Sequence, residues 1–408
     1  MERRIPMERK QSSRMASGTL IFSLMAGYSI VYMDKNMIST AIIPISEQYH
    51  LDSGQTGIIM SAFFLGYSLM QIPSGWLADK LGAKRVLMAS MAIIGVFSYL
   101  FGIANGLAFF IAVRFFAGMG HGGYPPSCSK SIAENFPQER RTFVQSLILS
   151  TSGIGGILAF TLGANLISAN WHLAYGVLGT LYLLACLCIL IFVPSKPREP
   201  NVDTAPGEKK VGFLEVLKNR NVLVLFLAML LLNILLYGNI SWMPTYIKTT
   251  FHLSISQTGL LLAVNAIFST AATIYAGQLL SKVFLGREKM AIIGATVLSA
   301  LLVIGFVYSK NLWISLVLLI MVSCVSVVAF TGIFTWPHKI MDPRIIGSSI
   351  GVVNTGGTLG GFLAPMIIGF LVKAAGGSFV WAFTFMAAAS IAAGLMVLLV
   401  KAPKTAAK

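Results

Sequence analysis

The chain has 408 residues, of which 56% are hydrophobic and only 11% are charged, and its mean hydropathy is +0.79. Soluble domains carry about 25% charged residues, so this composition excludes an ordinary soluble enzyme. The formal net charge of +16 does not indicate a nucleic-acid partner, because the basic residues collect in short loops on one predicted side of a membrane.

Twelve apolar segments follow one another, each long enough for the roughly 20 residues that a helix needs to cross a bilayer. We predict spans at about 17–43, 55–77, 86–105, 107–131, 143–168, 172–194, 221–246, 254–280, 289–308, 311–336, 346–372 and 379–400. With the N-terminus inside, all but five lysines and arginines lie on or near the cytoplasmic side, as the positive-inside rule requires. The exceptions are Lys35 and Arg114 within helices, and Lys248, Lys310 and Lys373 outside.

The longest polar stretch is rich in proline, glycine and charge, which is typical of a linker. We therefore predict a cytoplasmic tail at 1–16, an N-terminal six-helix bundle at 17–194, a cytoplasmic linker at 195–220, a C-terminal six-helix bundle at 221–401 and a cytoplasmic tail at 402–408. The first apolar run is too long for a cleaved signal, so it is expected to remain as a helix. The fold class is an all-α membrane protein in the cell inner membrane, with two pseudo-symmetric bundles.

An internal repeat at an offset of 202 residues supports two homologous halves. The matched positions are His50-Leu51 with His252-Leu253, Gln55-Thr56-Gly57 with Gln257-Thr258-Gly259, Gly75 with Gly277, and Lys80 with Lys282. One helical pair is therefore duplicated in parallel orientation, which is an arrangement found in membrane transporters.

Charged residues within the predicted helices are confined to Asp34, Lys35 and Arg114, all in the first half. A charge at membrane depth is costly and by default indicates a functional site. Lys35 lies about 24 Å from the inner end of its helix at about 1.5 Å per residue, near the middle of the bilayer or slightly outward. Tyr28, Tyr32, Lys35 and Ser39 share one helix face, so we expect a polar stripe that faces a cavity.

The first-half charges predict three roles. We predict that Lys35 anchors a substrate anion, the alternative being a structural pair with Asp34, although adjacent helix residues point about 100° apart. Asp34 is predicted to carry the coupling proton, or else to be a helix–helix hydrogen-bond partner. His121, on the same helix face as Arg114, is expected to bind substrate or carry a proton, or else to make an ordinary polar contact.

Four other polar residues are predicted substrate contacts: Tyr32 and Tyr67 in the first half, and Asn354 and Thr355 in the second. A tyrosine hydroxyl can donate to a carboxylate or sugar hydroxyl, while aromatic packing is the alternative for Tyr67. The glycines around Asn354 favour close helix packing, which does not explain an asparagine at that position.

The loop after the second helix carries a dense motif, Gly75-x-x-x-Asp79-Lys80-x-Gly82-x-Lys84-Arg85. It resembles the loop motif G-x-x-x-D-R/K-x-G-x-K/R-R/K of the major facilitator superfamily. We predict a gating role, in which small Gly75 lets helices approach closely and Asp79 latches one conformation by pairing with a cation. Simple anchoring by positive charge is the alternative. In the second copy Ser281 replaces the aspartate.

The fourth helix carries Arg114-x-x-x-Gly118-x-Gly120, which resembles that superfamily's fourth-helix arginine motif. A structural tie and a proton-linked role remain equally open for Arg114.

Within the superfamily, the chain most resembles the anion:cation symporters, which carry organic and sugar-acid anions with cations, typically protons. The resemblance covers the whole chain and is carried by Tyr32-Met-Asp34-Lys35-Asn36 in helix 1, Ser61 to Trp76 in helix 2, and Gly351 to Pro365 in helix 11. Lys35 stands where that family has arginine, and His121 where many members have glutamate. Lysine loses the planar fork that grips a carboxylate, and histidine titrates near neutrality.

These observations predict a secondary active transporter, not an enzyme, that takes up a small organic anion with protons or another cation by alternating access. An organic-anion exchanger or exporter is the alternative, followed by a membrane sensor on a transporter fold. We expect a monomer in the lipid bilayer with both termini cytoplasmic, and no cofactor, metal or nucleic-acid partner.

Overall fold

The computed structural model describes residues 7–195, 216, 218–341 and 345–401. Most of the predicted linker, the tail at 402–408 and the start of the N-terminal tail lie outside the described residues. The described residues are overwhelmingly helical and contain no strand, which confirms the predicted all-α class.

The described residues form twelve long helices in the predicted order. They are α1 Met7–Gln48, α2 Ser53–Leu81, α3 Ala83–Gly102, α4 Leu107–Asn135, α5 Gln138–Ala169, α6 Trp171–Phe192, α7 Arg220–Phe251, α8 Ile255–Val283, α9 Glu288–Tyr308, α10 Leu312–Thr335, α11 Ile346–Ala374 and α12 Val380–Leu398. Within the described ranges, ten are long and apolar enough to span a membrane. The other two, α1 and α4, carry the buried charges of the candidate site.

The internal repeat has a structural counterpart at two helix starts. At α2, Gln55 N–H donates to the Asp52 carboxylate and Asp52 N–H donates to the Gln55 side chain, both at 2.9 Å. At α8, Ser254 and Gln257 form the same reciprocal capping box. Each box satisfies backbone donors that a helix start leaves unpaired. The repeated glutamine is therefore explained by helix capping.

The structure comprises two compact units. The first contains Met1–Met37 and Gly66–Pro200, and the second contains Ile38–Leu65 and Asn201–Lys408. The end of α1 and the start of α2 thus group with the second unit. The predicted division at the linker follows the repeat, and it stays a prediction about the homologous halves.

In the first unit, glycines allow α2 and α4 to approach closely. A Cβ on Gly122 would lie 2.6 Å from the Tyr67 carbonyl oxygen, and one on Gly66 would meet the Phe115 carbonyl oxygen. Real Cβ atoms do not tolerate such contacts, and small residues at membrane helix interfaces serve this purpose. The contact fixes Tyr67 relative to the helix that bears Arg114 and His121.

In the second unit, the glycine-rich face of α11 packs closely, as the sequence predicts, and the structure identifies α7 as its partner. A Cβ on Gly356 would meet the Phe226 carbonyl oxygen, and one on Gly360 would meet the Leu230 carbonyl oxygen.

Two exposed ion pairs lie in the same unit. Lys248 of α7 contacts Glu47 of α1 at 2.7 Å, and Lys373 of α11 contacts Asp52 at 2.9 Å.

Candidate functional site

A buried ion cluster in the first unit is centred on the Asp34 carboxylate. Arg114 Nη1 donates to Asp34 Oδ1 at 3.1 Å, and His121 Nε2 lies 2.7 Å from Asp34 Oδ2. All three side chains are at most 2% exposed. Arg114 and His121 are seven residues apart on α4, which is two helical turns, so they point from one face towards α1. The predicted shared face of these two residues is correct.

Tyr182 of α6 completes this cluster, and the sequence analysis missed it. Its hydroxyl lies 3.3 Å from His121 Nε2, 3.4 Å from Asp34 Oδ2 and 3.2 Å from the Ile30 carbonyl oxygen. The residue is fully buried, in a helix that also carries His172, Tyr175 and Thr180. Buried Tyr175 lies seven residues earlier on the same helix face, so the spacing gave a signal, but only the packing of α6 shows that Tyr182 joins the cluster.

Lys35 lies beside the cluster and is half-buried, unlike Asp34. Its Nζ is 6.0 Å from the Tyr32 ring centroid and 5.5 Å from the Tyr67 ring centroid, within cation–π range. Gln71 donates its side-chain N–H to the Tyr67 hydroxyl at 3.3 Å. The predicted contacts Tyr32, Lys35 and Tyr67 are therefore brought together.

The predicted polar stripe on α1 is wrong at both ends. Tyr28 is only 7% exposed and stacks on Tyr124 of α4, with ring centroids 5.2 Å apart. Ser39 is fully buried. Neighbouring residues cover these positions, so Tyr32 and Lys35 alone keep partial exposure. Helical spacing gave the shared face, but it could not show which turns a neighbouring helix covers.

The charges of Asp34 and Arg114 cancel, whereas Lys35 beside them adds a positive charge. Asp34 and Arg114 carry opposite charges, so this ion pair is electrically balanced, and His121 adds no charge in its neutral form. Burial of an ion pair requires such close pairing, since an uncompensated charge is costly there. Lys35 adds one further positive charge next to the balanced group. The local arrangement can thus hold an anion at Lys35 and accept a proton in the cluster.

Asn354 and Thr355 lie on α11 in the second unit. Asn354 is half-buried and Thr355 is exposed, and the Thr355 hydroxyl donates to the Gly351 carbonyl oxygen at 2.9 Å. In the same unit, Trp242 of α7 is buried and donates its ring N–H to the Pro365 carbonyl oxygen at 3.0 Å. A structural role accounts for Trp242, whereas Asn354 and Thr355 stay predicted substrate contacts.

The loop motif between α2 and α3 makes short polar contacts within the first unit. Asp79 pairs with Lys130 of α4 at 2.6 Å, and its role as a conformational latch stays a prediction. Lys84 Nζ donates to the Leu190 carbonyl oxygen of α6 at 2.7 Å. Lys80 lies over the Trp76 ring at 4.8 Å, and Arg85 is exposed.

Two glycines of this motif have different reasons to be glycine. Gly82 has a φ of 90°, which favours glycine and lets the chain turn from α2 into α3. A Cβ on Gly75 would lie 3.8 Å from Pro126 Cβ, an ordinary contact. The expectation that Gly75 is needed for close helix approach is therefore wrong in this structure, since the tight approach occurs at Gly66 and Gly122 instead.

Comparison with known proteins identifies the family of the chain. The profile described as Major Facilitator Superfamily matches residues 24–365 and again residues 251–408, together nearly the whole chain. A probable sulfoacetate transporter of Cupriavidus necator is 25% identical over 86% of each chain. A hexuronate transporter of Bacillus subtilis is 26% identical over 93% of this chain and 91% of its own.

A third relative and a solved structure agree with this fold. The chloroplastic ascorbate transporter of Arabidopsis thaliana is 26% identical over 87% of this chain and 69% of its own. A bacterial homologue of the human lysosomal transporter Spinster, in an inward-facing and occupied conformation, matches with a TM-score of 0.78. That match covers 94% of this chain and 95% of the other at 16% identity, so it supports the fold alone.

Proposed function

We propose that this chain, which belongs to the Major Facilitator Superfamily, is a secondary active transporter that moves a small organic anion by alternating access. The observation that carries the proposal is half-buried Lys35, held between Tyr32 and Tyr67 beside a charge-balanced buried pair. The sulfoacetate and hexuronate transporters among its relatives act on organic anions. A sugar acid or another small carboxylate is therefore the substrate class.

Lys35 is proposed as the electrostatic anchor for the anion. The Asp34 carboxylate contacts Arg114 and His121 of α4 in the protein interior. Its charge is therefore balanced by α4 rather than by Lys35, its neighbour in sequence. Asp34, Lys35 and Arg114 together then carry a net charge of one positive unit. Tyr32 and Tyr67 flank the ammonium group and offer aromatic faces and hydroxyls to an anion that carries several hydroxyls.

Asp34 and His121 are proposed as the proton-coupling pair. A proton added to either residue gives the cluster a net positive charge beside Lys35, which favours an anion there. By thermodynamic reciprocity, a bound anion raises the affinity of the cluster for a proton by the same factor. Tyr182 is within hydrogen-bond distance of both groups and can hold their relative positions. This linkage is what a symporter requires.

Asp79 and Lys130 are proposed as a breakable latch. Asp79 is 69% exposed, so water can replace the ion pair at little cost when the helices move. Lys80, Lys84 and Arg85, with Gly75 and Gly82, complete the proposed gating motif, and Arg114 is proposed to tie Asp34 in place. Uptake rather than export, both termini in the cytoplasm and a monomer are parts of the proposal that rest on the sequence.

Transport by the purified protein in liposomes tests this function. A panel of hexuronates, sulfoacetate, dicarboxylates and aromatic acids would be offered with and without an inward proton gradient. The proposal predicts gradient-stimulated uptake of at least one anion, lost in Lys35→Ala and kept in Lys310→Ala. Lys310 is an exposed lysine between α9 and α10, so it controls for loss of one positive charge. Normal uptake by Lys35→Ala would remove the anchor.

A further inference from the structure

An apolar cleft of about 820 Å³ opens in the second unit between α8, α9 and α10. Apolar side chains and glycine or alanine dominate its walls, among them Leu279, Val283, Met290 and Val328. Val283 and Met290 are each 65% exposed. Cavities of roughly 300–1,000 Å³ accommodate small organic ligands, and this lining fits a hydrocarbon chain.

The end of this cleft has a basic rim, formed by Lys282 of α8 and by Arg287 and Lys289 around the start of α9. A second cavity of about 520 Å³, lined by Arg287 and Lys289, shares Met290 and Gly294 with the cleft. Lys289 Nζ donates to the Leu398 and Val400 carbonyl oxygens, whereas the side chains of Lys282 and Arg287 are exposed. Glu288 is the acidic residue of this segment, so residues 282–289 carry three basic side chains and one acidic side chain.

The internal repeat shows that the end of α8 lacks the aspartate that its counterpart in the first unit carries. Asp79, which pairs with Lys130 there, corresponds to Ser281, whose hydroxyl donates to the Gln278 carbonyl oxygen at 3.3 Å. Among the ion pairs of the described residues, none involves Lys282 or Arg287. Serine at this position therefore leaves the last turn of α8, Leu279–Val283, with Lys282 and no carboxylate beside the apolar cleft.

The backbone also departs from a regular helix at this place. Residues Leu279–Val283 form a π-helical turn at the end of α8, and Leu279, Lys282 and Val283 of that turn line the cleft. Such turns widen a helix locally and are frequent at functional sites. The turn brings Lys282 to the mouth of the cleft together with the apolar side chains of the same segment.

We propose that the cleft binds one anionic phospholipid, with an acyl chain between α8, α9 and α10 and the phosphate against Lys282 and Arg287. Basic side chains lie at the helix ends and apolar side chains lie along the helices. This is the order in which a phospholipid presents its phosphate and its acyl chain. The positive-inside pattern assigns these helix ends to the cytoplasmic side, where basic pockets between helices bind anionic headgroups. The proposal does not depend on which anion is transported.

Native Cys324 provides the test, because it lines the cleft and is half-buried. Its alkylation by N-ethylmaleimide would be followed by mass spectrometry in detergent containing either phosphatidylglycerol or phosphatidylcholine. Half-buried Cys188 in α6 is the internal control for folding and general reactivity. We expect phosphatidylglycerol to slow alkylation of Cys324 several-fold relative to phosphatidylcholine, with no change at Cys188.

Variants and a free anion separate a lipid site from general effects. Lys282→Gln and Arg287→Gln are each expected to reduce the difference between the two lipids, and high salt should reduce it too. Lys310→Gln, an equal loss of charge away from the cleft, should keep it. Equal rates in both lipids, or a difference that survives both rim variants, would overturn the proposal. Equal protection by inorganic phosphate alone would refute the need for an acyl chain.

Discussion

Replacing Asp34 by asparagine tests the buried cluster through its energetics. The change leaves the Arg114 guanidinium, which is 2% exposed, without its carboxylate partner. Removal of one member of a buried ion pair costs about 3–5 kcal/mol, because the remaining charge stays desolvated. Asp79→Asn is a matched control, since it breaks an ion pair of 2.6 Å whose carboxylate is 69% exposed. Exposed pairs contribute only about 0–1 kcal/mol.

The assay is thermal unfolding of the purified protein in detergent at one fixed scan rate, since unfolding of large proteins is often irreversible. At about 2 °C per kcal/mol for units of this size, Asp34→Asn should unfold about 6 °C or more below wild type. Asp79→Asn should unfold within about 2 °C of wild type. Adding Arg114→Gln to Asp34→Asn removes the orphaned charge and should recover part of the loss. Equal shifts for the two single variants, or no recovery in the double variant, would refute the reasoning.

Three further predictions concern other parts of the molecule. At an anion concentration well below half-saturation, Lys35→Ala should lose measurable uptake, because removal of a charge-assisted contact weakens the apparent affinity for the anion by about 10- to 100-fold; Lys310→Ala should change that affinity less than about 2-fold. Gly122→Ala should lower the yield of folded protein in size-exclusion chromatography because its Cβ meets a carbonyl oxygen of α2, whereas Gly75→Ala should give wild-type yield; the opposite ranking would contradict the packing account. The hydrogen bond from the lysine of α11 lowers the pKa of the Asp52 carboxyl. The stabilisation of the folded protein by this ion pair is therefore complete above the ordinary carboxyl pKa of about 3.9, and it is lost as the pH falls through the lower pKa of the folded state. The unfolding temperatures of wild type and Asp52→Asn should therefore differ by a constant small amount from pH 8 to pH 5, and a difference that disappears within that range would refute the assignment.

The sequence predicted the number and order of the long helices because hydropathy reports the bilayer directly. It underestimated their lengths, since α1 begins at Met7 and α2 continues to Leu81. Helices continue into water wherever capping and loop geometry allow, and Gly82 with its positive φ is what ends α2. Hydropathy carries no signal for these polar turns.

Part of the candidate site was also accessible from the sequence. Charges at membrane depth identified Asp34, Lys35 and Arg114, and helical spacing placed His121 with Arg114. The sequence could not predict that Asp34 contacts Arg114 and His121, because contacts between α1 and α4 depend on tertiary packing. Tyr182 was missed for the same reason, and burial of Tyr28 and Ser39 could not be read from one helix alone.

Proton entry that accompanies anion uptake tests the central claim most directly. Proteoliposomes loaded with the pH-sensitive dye pyranine would receive the transported anion at equal internal and external pH, with radiolabelled uptake measured in parallel. The account predicts acidification of the lumen in step with uptake by wild type, none with Lys35→Ala, and an altered pH dependence with His121→Gln. Uptake without acidification, or an unchanged pH dependence in His121→Gln, would contradict coupling through the Asp34–His121 cluster.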